Sequence, residues 1–152
     1  GLAHVSISPY GVFQTADNVP ILISIQSDRE WRTLCREVLE QPELATDPRF
    51  ATNVARVKNR PETDGIVAKW FAERHHQAAI ERLAKAEIAF ARVNDVAGLS
   101  VHPHLHRVAV NTEKGPVEVP VPGAHVLGTS VAFGPVPALG AHTEAVRREF
   151  LG

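Results

Sequence analysis

At 152 residues with a formal net charge of −1, the chain has the length of one domain with a core of its own, and its charge balance excludes the broad basic surface that nucleic acid or an anionic membrane demands. Hydrophobic residues make up 44% and charged residues 22%, ordinary for a soluble globular protein, and no apolar run reaches the ~20 residues of a membrane span. The single cysteine, Cys35, excludes an internal disulfide and points to a reducing compartment, the cytoplasm.

The opening Gly1-Leu2-Ala3-His4 lacks the charged and apolar regions of a signal peptide. The chain has no Met, which is compatible with processing or with a boundary inside a longer protein. Tyr10 to Thr15 and Ile21 to Ile25 read as strands, joined by a turn at Ala16-Asp17-Asn18 whose side chains bond local backbone and tolerate positive φ. Ser27-Asp28-Arg29-Glu30 is a capping box. The helix it opens carries Trp31, Leu34, Cys35, Val38 and Leu39 at helical spacing, and Pro42 is expected to stop it. Cys35 on that apolar face reads as a buried, inert thiol.

Pro42 to Phe50 is turn-rich, and Asn53 to Asn59 reads as helical. Pro61 suits the first turn of the next helix, with Glu62 and Asp64 near its positive end and Ile66, Val67, Trp70 and Phe71 as its apolar stripe. His75-His76 is expected at that helix's C-terminus. A further helix from about Gln77 to Glu87 should bury Ala79, Ile80, Leu83 and Ala84. Ile88 to Val93 reads as a strand, and Asn94-Asp95 opens a short helical turn bounded by Gly98 and Pro103. Val108-Ala109-Val110 and Val117-Glu118-Val119 flank a hairpin turn at Glu113-Lys114-Gly115. From Pro120 to Pro137 the chain is Pro- and Gly-rich and extended, with Val126, Leu127, Val131 and Phe133 as apolar points for packing on other protein. Thr143 to Leu151 closes as a short helix. The expected class is α+β: a small domain of short antiparallel hairpins packed on three to four helices, then an extended return segment and a terminal helix.

Candidate chemistry is sparse. His102-Pro103-His104-Leu105-His106 would place its imidazoles on one face of a strand, but Pro103 disrupts a regular strand and no Cys or carboxylate sits in the run, so no metal site is assigned. Asp17 has the chemistry of a general base, yet a turn aspartate explains it better. There is no G-x-S-x-G, no G-x-G-x-x-G and no P-loop. Arg49, Arg56 and Arg60 are close enough in sequence to grip a phosphate or carboxylate; surface pairing with Glu43, Asp47 or Glu62 is the plainer reading.

Several stretches together resemble the family III CoA-transferases, the superfamily of formyl-CoA, carnitine and citramalate CoA-transferases that includes α-methylacyl-CoA racemase as a divergent branch. They are Ser8-Pro9-Tyr10-Gly11-Val12-Phe13 with Ala16-Asp17; Gln26 to Trp31; Pro42-Glu43-Leu44; Asp47-Pro48-Arg49-Phe50 with Asn53 and Arg56; His102-Pro103; and Pro137 to Thr143. In the last of these Ala141 replaces a Glu of the family's closing signature.

The resemblance implies a small domain over 1–119 and, over 120–152, a return toward a large CoA-binding domain. It implies a reaction that moves CoA between carboxylic acids through an aspartyl-CoA thioester, with coenzyme A esters as substrates and no tightly bound cofactor. The reacting aspartate belongs to the preceding segment, so no catalytic residue is assigned in this chain, and the chain alone is expected to be inactive. The intact protein is expected to be an interlocked homodimer, without nucleic-acid or membrane partners. By position, Ala3 to Ser8 matches a mobile glycine-rich loop over the reacting aspartate, with the glycines missing, which makes His4 and Ser6 the candidate substrate-proximal residues. The alternatives are a 2-methylacyl-CoA racemase on the same scaffold and an isolated, non-catalytic assembly domain.

Overall fold

The computed structural model describes residues 1–124, 128 and 132–152. Val126, Leu127 and Val131 of the Pro/Gly-rich passage lie outside the described residues. The chain divides into two compact units, Gly1–Val93 and Asn94–Gly152. The fold is α+β, as expected.

In the first unit β1 (Tyr10–Gln14) and β2 (Pro20–Ser24) form the expected hairpin. Asn18 sits at φ 58 in the turn, and the Thr15 hydroxyl, 2.9 Å from the Val19 carbonyl, closes it. The third strand, β3 (Phe90–Arg92), is shorter than the sequence suggests; it pairs antiparallel with β2, giving the order β1-β2-β3. Alternation turns Phe13, Ile21 and Ile23 into the core, where the Phe13 ring stacks on Phe71 at 5.5 Å.

Helix α1 (Asp28–Thr33) is opened by the capping box. The Ser27 hydroxyl accepts from the Glu30 amide at 3.2 Å, and the Glu30 carboxylate accepts from the amides of Ser27 and Gln26 at 3.3 and 2.7 Å. The helix then widens into a π-turn over Leu34–Val38, where the Leu39 amide donates to the Leu34 carbonyl five residues back. Trp31, Leu34, Cys35, Val38 and Leu39 all stay buried through this change of pitch, each large apolar side chain contributing roughly 1.5–3 kcal/mol. The helix ends before Pro42: Glu40 enters the left-handed region at φ 59. Arg82, from a later helix, donates to the Glu37 carbonyl and the Glu40 carboxylate, supplying partners to a helix end that lacks them.

A 3₁₀ turn (Pro42–Ala45) leads to α2 (Asn53–Lys58), α3 (Arg60–Ala72) and α4 (His76–Lys85). Val67, Trp70 and Phe71 of α3 are buried, and so is Thr63. On α4 the pair Ala79 and Leu83, four residues apart, faces the core; Ile80 is half-buried, and Ala84, expected inside, is turned to solvent one step round the helix.

The placement of His75-His76 also differs from expectation. Both lie at the start of α4, because the chain becomes extended at His75 (φ −67, ψ 149). Asp17 fixes this break by accepting from the His76 amide at 2.9 Å and from its imidazole Nδ1 at 2.5 Å. A histidine is poorly placed against a helix N-terminus, and the carboxylate supplies the negative charge that this end favours.

The second unit holds α5 (Val96–Ser100), capped by the Asp95 carboxylate on the Gly98 amide, then the β4 (Arg107–Thr112) and β5 (Gly115–Pro120) hairpin and α6 (Thr143–Leu151). Gly98 lies within α5 rather than beyond it. Gly115 takes φ 106 at the end of the Glu113-Lys114 turn, a conformation open to glycine. No described residue of this unit is buried; among the described residues the hydrophobic core lies within 13–88. No helix among the described residues is long and apolar enough to cross a membrane.

Candidate functional site

Asn53, Arg56, Arg60 and Asp64 recur at three- and four-residue spacing along α2 and α3, so they share one side of that helical pair despite the break at Asn59. They face the segment 4–8, which runs ahead of β1 and has only one backbone tie to it, the His4 amide on the Tyr10 carbonyl at 3.1 Å. Such a segment must find partners for its carbonyls elsewhere. Asn53 Nδ2 donates to the Ser6 carbonyl at 2.9 Å, and Arg56 Nε to the Ser8 carbonyl at 2.7 Å. Arg60 NH2 meets the carbonyls of His4, Val5 and Ile7 at 2.9, 3.4 and 2.9 Å. Ser8 is held twice more, its amide on Asn53 Oδ1 at 3.2 Å and its hydroxyl on Asp64 at 3.0 Å. The Ser8-Pro9 peptide is cis.

The two candidate residues come together. The Ser6 amide donates to His4 Nδ1 at 3.2 Å, the Ser6 hydroxyl lies 3.4 Å from the same nitrogen, and the imidazole stacks on Tyr10 at 5.3 Å. Val5 and Ser6 are exposed, His4 is half-buried, and Ser8 is fully buried. The segment therefore presents side chains outward from an anchored backbone. Beside it an open, mostly apolar hollow of about 280 Å³ is walled by Gly1, Leu2, Ala3, His4, Tyr10 and Leu22. Among the described residues no carboxylate is hydrogen-bonded to the His4 imidazole, so His4 and Ser6 do not form a Ser-His-Asp relay with them.

The neighbouring arginines divide by environment. Arg49 forms the surface pairs expected of it, with Asp47 at 2.7 Å and Glu62 at 2.5 Å, and its side-chain and backbone hydrogen bonds to Asp47 hold that carboxyl below its usual range. Arg56 overturns the surface reading. It is fully buried, donating to the carbonyls of Ser8 and Phe50 and to Asp28, with its guanidinium 5.0 Å from the Trp31 ring centroid. Burial lowers its pKa from the usual arginine value, while the Asp28 carboxylate opposes that shift. Arg60 NH1 is buried without a hydrogen bond and lies 3.8 Å from Asp64.

The other candidates lie apart from this segment. Cys35 is buried and its thiol is pushed up to about 12, chiefly by burial, which makes it inert. The Asp17 carboxyl is held well below the usual range by the His76 side chain first and the Thr15 hydroxyl second, a spent base rather than a poised one. His102 Nδ1 accepts from the His104 amide at 3.2 Å within a turn. No three His, Cys, Asp or Glu residues gather as a metal site among the described residues.

A sequence model of CoA-transferase family III matches residues 1–143. Human succinyl-CoA:glutarate CoA-transferase is 29% identical over 157 residues, covering 99% of this chain and 35% of that protein. The succinyl-CoA–L-malate CoA-transferase beta subunit of Chloroflexus aurantiacus is 28% identical, covering 95% of this chain and 37% of that protein. Among solved structures, a CAIB/BAIF family protein from Brucella suis superposes with a TM-score of 0.71 at 26% identity, over 98% of this chain and 39% of that one. Rv3272 from M. tuberculosis shares the fold, with a TM-score of 0.76 at 22% identity over 91% of this chain and 40% of that one. The chain thus spans about a third of the length of the curated relatives it matches.

Proposed function

The chain belongs to CoA-transferase family III, and from that premise we propose that it is the small-domain part of an acyl-CoA:carboxylate CoA-transferase. Residues 1–119 form that domain, and 120–152 return toward a large domain that holds CoA. The reaction proceeds by nucleophilic catalysis. An aspartate outside this chain attacks the donor thioester carbonyl, expelling CoA thiolate and forming a mixed anhydride. The thiolate then attacks the aspartyl carbonyl, giving aspartyl-CoA thioester and free donor acid. The acceptor carboxylate reverses both steps and leaves as the new CoA ester. Coenzyme A esters are substrates, no tightly bound cofactor is needed, and the intact protein is a homodimer in the cytoplasm.

The observation that carries this reading is the match over residues 1–143 to the family, whose relatives are named for CoA transfer between small carboxylic acids. In this reading the exposed face of segment 4–8 contributes His4 and Ser6 to the substrate's surroundings, a common duty of loops held on rigid elements. The test is incubation of the full-length protein, and separately of this chain, with succinyl-CoA and a set of dicarboxylate acceptors. The full-length protein should exchange CoA and the chain alone should not. Turnover by the chain alone would place the nucleophile here and overturn the assignment; epimerisation of a 2-methylacyl-CoA without transfer would move the protein to the racemase branch.

A further inference from the structure

We infer that Arg60 is a positioning residue for the CoA-transfer reaction, holding segment 4–7 in the shape that presents His4 and Ser6; this rests on the function proposed above. Three carbonyls separated by no more than three residues converge on a single guanidinium nitrogen. A terminal guanidinium nitrogen carries two N–H groups, so the contacts are shared, and the 3.4 Å one to Val5 is the weakest.

Carbonyl oxygens gathered around one point repel each other unless a cation sits there. Arg60 therefore determines the path of the segment as well as tightening it. Flanking contacts from Asn53 to Ser6 and from Arg56 to Ser8 fix the carbonyls that Arg60 does not reach. The backbone is thus read at every residue from 4 to 8, in a stretch that leaves Val5 and Ser6 exposed. Core packing does not explain that investment in outward-facing residues. The two arginines also differ in what their loss removes: Arg56 is fully buried and ties Phe50 and Asp28 into the core, whereas the Arg60 side chain is a quarter exposed and its hydrogen bonds go to the segment alone.

Displacement of a substrate-facing group by about 1 Å can cost on the order of 100-fold in rate. The test is Arg60→Ala in the full-length protein, read by thermal midpoint, by kcat and KM for the CoA ester and the acceptor acid, and by rescue with added methylguanidinium. The expected result is a fall in kcat of about 10-fold or more with a folded protein and partial recovery in methylguanidinium. Wild-type kcat and KM would overturn the inference, and so would a loss that follows the unfolded fraction and is not rescued. Should Arg60→Ala fail to fold, Arg60→Gln keeps an amide donor without the charge; a folded Arg60→Gln protein with lowered kcat supports the inference, and one with wild-type kcat overturns it. A wild-type protein that exchanges no CoA would instead remove the functional reading itself, and this inference with it.

Discussion

Replacing Arg56 with alanine should be among the most damaging single changes in the first unit. The guanidinium satisfies the carbonyls of Ser8 and Phe50 at 2.7 and 2.9 Å, both in buried surroundings, and pairs with Asp28 at 3.0 Å. Each buried carbonyl left without a donor costs about 1–3 kcal/mol. Asp28 is 40% exposed and can rehydrate, so the full penalty of a stranded buried charge does not apply. With the lost contact over Trp31, the sum is about 4 kcal/mol, a large share of the ~5–15 kcal/mol that holds a domain together. At roughly 4–8 °C per kcal/mol for a unit the size of Gly1–Val93, the midpoint should fall by about 16 °C or more. Fluorescence reports the transition directly, since Arg56 lies against Trp31, and urea titration with circular dichroism supplies the second probe. Arg49→Ala is the control, because its partners are solvated surface carboxylates and such pairs contribute little. Equal shifts for the two variants would refute the assignment of Arg56 as a buried hub.

Two further outcomes follow from titrating groups. The Asp17 carboxyl titrates below its unfolded value, so its stabilisation is fully present above that value and is lost as pH falls below about 4 toward the folded pKa. Thermal midpoints of wild type and Asp17→Asn should therefore differ most near neutrality and converge in acid; a gap that widens in acid would contradict the linkage. The buried Cys35 thiol, pushed up to about 12, should resist iodoacetamide at pH 8 in the native chain and react once urea unfolds it, while Arg56→Ala should speed the native reaction. Rapid labelling of the intact wild-type protein would show that the site is open.

The elements that were legible in the sequence are those determined by neighbours. Ser27 and Glu30 cap each other three residues apart, Asn18 marks its own turn, and Thr143–Leu151 is bounded as its pattern implies. What escaped depends on distant partners. Ala72 to His76 reads as one continuous helix end, and the break at His75 is held by Asp17, some sixty residues earlier in the chain. Arg56 and Arg49 carry the same side chain in the same stretch; only the fold decides which is buried. The anchoring of segment 4–8 left no sequence signal, because backbone carbonyls are common to every residue. The cluster of Arg49, Arg56 and Arg60 suggests an anion grip or, more plainly, surface pairs with carboxylates; the structure instead gives Arg56 and Arg60 the chain's own carbonyls.

The absence of buried side chains among the described residues of 94–152 has a kinetic consequence. Among its described residues this unit has one two-stranded hairpin and two short helices without a buried apolar side chain, which offers little to offset the entropy of their ordering. Its amides belong to the class that exchanges through local opening, while those of Ile21, Ile23 and Leu83 wait for global unfolding. In deuterated solvent this chain should fill from one side of Val93 long before the other. A partner that covers the exposed Val146, Phe150 and Leu151 would register first as a slowing of that early wave.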